Sequence, residues 1–166
     1  MKALWLMAIA CIAVAVLCVG CGKSDDMKKL EADLNTEVMQ KHDDMMKAMS
    51  GLDEATAQIA AMVAKHDSLA KLLPKKFAGH DATDLLAAKE KIAAAKEAMN
   101  TWMKGFKPYD PNAEHEVVMA SLKKTQEELV GVEQQVQGAL TAAKESMASH
   151  STFVNALTAK LPKKMR

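Results

Sequence analysis

Apolar residues recur at three- and four-residue spacing along two long stretches and one short one. In the first, Leu30, Leu34, Val38, Met45, Met49, Leu52, Thr56, Ile59, Val63, Ala70 and Leu73 share one side of a helix, forming a heptad-like seam. Ser24 is placed to cap this helix, and Asp25 and Asp26 suit the positive end of its dipole. Pro74 ends it, because the residue before a proline resists helical angles. A run of about 48 residues at 1.5 Å per residue makes a helix of ~72 Å.

A short basic loop at 75–80 follows. Asp81, with Asp84 three residues on, opens a second helix. Its stripe is Leu85, Ala88, Ile92, Ala95, Met99, Trp102/Met103 and Phe106, and Gly105 and Pro108 close it. Asp110 as cap and Pro111 at the first helical position predict the start of a third helix. That helix carries Val117/Val118, Leu122, Leu129, Val132, Val136, Leu140, Ala143, Met147, Val154, Leu157 and Leu161, and Pro162 stops it. Gly131 and Gly138 weaken it by roughly 1 kcal/mol each relative to alanine. The predicted fold is all-α: an antiparallel three-helix bundle or coiled coil with two long helices and one shorter helix, after an N-terminal signal segment. The middle helix has about half the residues of its neighbours. One end of a long helix therefore lacks a partner. Either a long helix breaks near Gly51, Gly131 or Ser149, or a second chain covers the exposed stripe.

The start of the chain has a different pattern. Lys2 is its only charge, and an unbroken apolar run from Ala3 to Val19 leads into Gly20-Cys21-Gly22. This is the form of a secretory signal, and the run is at the lower limit for spanning a bilayer. Leu17-Cys18-Val19-Gly20-Cys21 resembles a bacterial lipobox, although Cys18 stands where that pattern has leucine. By that resemblance Cys21 becomes the first residue of the mature chain and carries a diacylglycerol thioether and an acylated amine. Three acyl chains anchor far more firmly than one. Gly22, rather than aspartate, follows the cysteine. By resemblance to Gram-negative lipoproteins this favours the outer membrane, with the domain facing the periplasm. The expected division is residues 1–20 as signal peptide, 21–26 as lipidated tether, 27–161 as the helical domain and 162–166 as a basic tail.

Composition narrows the function. The only cysteines are Cys11, Cys18 and Cys21, so the mature domain has no disulfide and no thiolate metal site. About 146 residues remain after cleavage, enough for one real core. Net charge is +1 with both signs interspersed, and aromatics are 4%. Neither suits a nucleic-acid binder.

The sharpest chemical candidate is the stripe Met39, His42, Met46 and Met49. Thioether and imidazole suit soft Cu(I). Met99, Met103, His115 and Met119 on the other helices are available to complete such a site. The competing reading is methionine as flexible core filler. His66-Asp67 and His80-Asp81 pair only in print, since adjacent helical residues point ~100° apart; caps and surface histidines are expected there. Trp102, Met103 and Phe106 read as a core anchor or, alternatively, as a partner surface. No Gly-x-Ser-x-Gly, P-loop, dinucleotide or Cys-x-x-Cys-His pattern occurs, so catalysis is not expected.

Two segments, His42-Asp43-Asp44-Met45-Met46-Lys47-Ala48-Met49 and Glu97-Ala98-Met99-Asn100-Thr101-Trp102-Met103-Lys104-Gly105-Phe106, resemble a family of lipoproteins from Bacteroidetes-type bacteria. Its members are often labelled automatically as viral A-type inclusion protein-like. The resemblance implies an envelope location and a helical architecture and carries no activity. The expected role is a lipid-anchored envelope protein with a structural or protein-interaction function, binding the membrane through its lipid and a protein partner or a second copy of itself. No cofactor is expected beyond the covalent lipid. The alternative is a periplasmic copper-binding or envelope-stress protein using the Met/His stripe.

Overall fold

The computed structural model describes residues 23–160. The signal segment, Cys21 and the basic tail lie outside the described residues. Four helices follow in order: α1 (Asp25–Leu72), α2 (Pro74–Phe77), α3 (Thr83–Gly105) and α4 (His115–Ala159). The protein is an all-α bundle, and its described residues contain no strand.

Ser24 caps α1: its hydroxyl accepts from the Met27 amide at 3.2 Å, and Asp25 and Asp26 occupy the first turn. Contacts between α1 and α4 climb both helices together. Glu31 meets His115, Lys41 meets Glu133, and His66 meets His150. The two long helices are therefore parallel. α3 runs the other way, with Asp53 paired to Lys96 and His42 beside Trp102. The topology is up, down, up. α4 packs extensively on both α1 and α3, whereas α1 and α3 touch each other less.

The core follows the heptads. On α1 the buried positions are Glu31, Val38, Met45, Leu52, Ala55, Ile59 and His66, almost all seven residues apart. On α3 they are Leu85, Ala88, Ile92, Ala95, Met99 and Trp102, alternating three and four apart as an a/d seam does. α4 contributes Leu129, Val132, Val136, Ala139 and Ala143 to the same cluster. Met49, Met62 and Val63, which continue the α1 seam in sequence, are only half-buried against the core. The thin α1–α3 contact is the reason.

The mismatch of helix lengths is resolved without a break in any helix. α3 is level with α1 from about His42 upward. Below that, α1 and α4 form a two-helix section, and residues 106–114 return the chain to its foot. Lys23 donates to the Pro111 carbonyl there at 3.0 Å. This section leaves Leu30 at 52% and Val117 at 61% exposed.

Two local expectations are corrected. Residues 75–80 are not wholly a loop, because Pro74–Phe77 forms one turn of helix with Pro74 at its first position and Phe77 buried. Nor do Asp110 and Pro111 start the last helix, which begins at His115. Asp110 instead closes a turn on itself: its carboxylate accepts from the Asn112 amide at 2.9 Å and its carbonyl from the Ala113 amide at 3.1 Å. Those amides are satisfied locally, so helix does not propagate from there.

Gly138 lies inside α4, and a Cβ there would meet nothing within 4 Å. Gly138→Ala is expected to raise stability by up to about 1 kcal/mol, read as a higher urea midpoint.

Candidate functional sites along the bundle

Polar residues enter the seam at both ends of the bundle. At the foot, Glu31 is 1% exposed. Lys23 Nζ lies 2.8 Å from each of its carboxylate oxygens. His115 Nδ1 donates to Oε1 at 2.9 Å, which places the proton of that ring on Nδ1, since a carboxylate only accepts. The hydrogen bond from Lys23 is the largest influence holding Glu31 below its ordinary value of 4.5; burial pushes the other way, and His115 adds to the lowering. The cluster ties the first described residue, the start of α1 and the start of α4 into one unit.

This cluster makes stability pH-dependent, with a definite sign. The folded pKa of Glu31 is below the unfolded one, so the unfolded chain takes up the proton first as pH falls. The contribution is therefore complete above about pH 4.5 and is lost as pH drops through the lower folded value. Thermal unfolding followed between about pH 6 and about pH 3 should show a fall in Tm that Glu31→Gln makes shallower. An equal fall in both proteins would remove Glu31 as its source.

Above the foot, α1 and α4 flank an open groove of about 550 Å³ in which the charged and amide side chains of Glu37, Gln40, Lys41, Asp44, Gln126 and Glu133 surround Met45 and Ala48. Lys41 and Glu133 close across it at 2.6 Å.

The Met/His stripe occupies the same level of α1. Met39 and Met49 are half-buried, and Met46 is 42% exposed. The His42 ring lies against Trp102, centroids 5.5 Å apart, and its Nδ1 contacts Asp43 at 3.0 Å. Of the residues named to complete a metal site, Met99 is fully buried, Met103 is 38% exposed, and His115 is held by Glu31, 11 residues below His42, or about 16 Å along the helix. His115 is therefore not brought to the stripe.

Trp102 is core rather than surface. It is 7% exposed, stacks on Phe106 with centroids 5.2 Å apart, and points its indole nitrogen at the Thr125 carbonyl, 3.5 Å away. Phe106 is half-buried against the core, which leaves Met103 as the exposed member of the trio.

The top of the bundle departs most from sequence expectation. His66 is not a surface histidine; it is 5% exposed, its ring 5.1 Å from that of His150 and 5.0 Å from that of Phe77. A signal for this was present in the spacing. Glu31 and His66 are 35 residues apart, as are His115 and His150, so each helix carries a polar residue at the start and end of the same five heptads. Reading the seam as apolar positions alone hides it.

No helix among the described residues is long and apolar enough to cross a membrane. No protein-family model, curated protein or solved structure matches the chain.

Proposed function

We propose that the protein is a lipid-anchored envelope protein with a structural or protein-interaction role, attached through Cys21 to the outer membrane and facing the periplasm. The observation that carries this reading is the position of Lys23. Two residues after the lipobox cysteine, its ammonium is already bonded to Glu31 and to the Pro111 carbonyl, and Ser24 already caps α1. Asp25 and Asp26, which belong to the tether by sequence, are helical. The link between lipid and bundle is thus very short, and what it holds is a helix of 48 residues, or about 72 Å. A rod fixed at one end presents side surfaces rather than an enclosed reaction chamber. The groove between α1 and α4 is one of these and offers charges of both signs to a partner.

Fractionation of cells producing Cys21→Ser tests the anchor. The wild-type protein is expected in the outer-membrane fraction with a triacylated N-terminus by mass spectrometry, and the variant without acyl chains, either soluble in the periplasm after miscleavage or held in the inner membrane by its uncleaved leader. A variant that still reaches the outer membrane, or a wild-type protein without acyl chains, would overturn the reading. Crosslinking of intact envelopes through a cysteine introduced at Gln40 tests the interaction role, with a discrete adduct of a partner or of a second copy expected. Monomer alone would count against that role.

A further inference from the structure

Three histidines gather at the top of the bundle, where the proposed role makes no use of them. His66 is 5% exposed, and its Nδ1 is buried without a hydrogen-bond partner. His150, half-buried one helix away, holds its ring 5.1 Å from that of His66, at an interplanar angle of 44°. Phe77 meets His66 edge-on, and Phe153 packs on Phe77 and stacks on His80 at 4.0 Å. His150 also borders a cavity of about 100 Å³, with Asp81, Asp84, Ser146 and Ser149 in its wall.

We infer that His66 and His150 form a binding site for a divalent transition-metal ion of the Zn(II) class, open toward that cavity. Three observations converge. A buried polar nitrogen without a partner is costly and uncommon in native structures, and a metal ion supplies the partner. An ion about 2.0–2.1 Å from one nitrogen of each ring, in tetrahedral geometry, sets the ring centres about 5 Å apart, which is the separation found. The rings are tilted rather than stacked, so face-to-face packing does not account for their approach. Charge is also suited to a cation. Asp81 and Asp84 line the cavity that His150 borders and bring negative charge to it.

No group of three or more His, Cys, Asp or Glu with metal-binding geometry occurs among the described residues. The chain therefore gives two ligands, and the other positions are left for water or for a group on another molecule. This is a different place and a different ligand chemistry from the Met/His stripe, and it does not depend on how the protein is anchored.

The test uses full-length protein purified in detergent and stripped with EDTA. Titration with Zn(II), followed by competition with a chromophoric chelator, is expected to give one ion per chain. Co(II) as a probe is expected to give visible d–d absorption of a nitrogen-ligated site. His150→Gln and His66→Gln should each weaken binding by more than about tenfold, a loss that even residues merely supporting a ligand produce. Met46→Leu with Met49→Leu should bind as the wild type does. His150 is half-exposed, so its variant decides the matter even if His66→Gln fails to fold by circular dichroism. Absence of the Co(II) band, binding unchanged in His150→Gln, or binding lost in the methionine variant would each overturn the site.

Discussion

Trp102→Ala is expected to cost about 3–5 kcal/mol, the usual loss for truncating a large buried aromatic. The residue sits at the lower end of α3, where the three-helix section gives way to two. It fills the space between α1, α3 and α4, flanked by His42 and Phe106 and with its nitrogen toward the Thr125 carbonyl. Truncation therefore leaves a cavity at the junction. Its neighbour Met103, 38% exposed, provides the control: Met103→Ala should change stability by no more than about 0.5 kcal/mol. Urea unfolding of both variants, with the slope unchanged and the midpoint shifted only for Trp102→Ala, is the result that places the tryptophan in the core. A small shift for Trp102→Ala would mean that its side chain serves a surface instead.

The second large effect separates the two sections of the bundle. Leu52 is completely buried in the core cluster shared by α1, α3 and α4, so Leu52→Ala should cost about 2–5 kcal/mol. Leu34 belongs to the same seam but is half-buried, because α3 does not reach it. Leu34→Ala should cost only about 1 kcal/mol. Hydrogen exchange should show the same division, with amides of α1 below about Val38 opening at lower free energy than those around Leu52. Equal costs for the two leucines would mean that the foot is covered by something else, a second copy being the simplest candidate.

Much of this architecture is legible in the chain. The seams of Leu85 to Trp102 and of Val118 to Val154 follow from apolar spacing, because α3 packs extensively on α4 and α4 packs on both of its neighbours. α1 is less faithfully read. Met49 and Val63 look like core in sequence and are half-exposed in the fold, because the thin contact with α3 uncovers that side. Glu31, His66 and Ser146 are buried at positions that hydrophobicity would assign to solvent. What makes those positions tolerable is cross-helix chemistry, which a helix-by-helix reading does not contain. Phe77 is hidden for a related reason: one turn of helix after Pro74 is too short to carry a period. The candidate chemistry shifted most. The Met/His stripe that stands out in sequence is spread between core and solvent, while His66 and His150, 84 residues apart, become neighbours only through the parallel placement of α1 and α4.

The polar pairs that terminate the α1–α4 seam also fix the register of the two helices. Heptad packing by itself is nearly degenerate, since sliding one strand by seven residues restores apolar contacts along most of its length. Here a slip of one heptad in one direction sets Glu31 against Leu122 and His66 against Leu157, stranding a carboxylate in hydrocarbon. A slip in the other direction takes Glu31 past the first turn of α4 altogether. Only one alignment gives both ends their partners, so the carboxylate at the foot acts as an error check on assembly. Glu31→Leu should keep the protein helical while broadening the distribution of α1–α4 alignments.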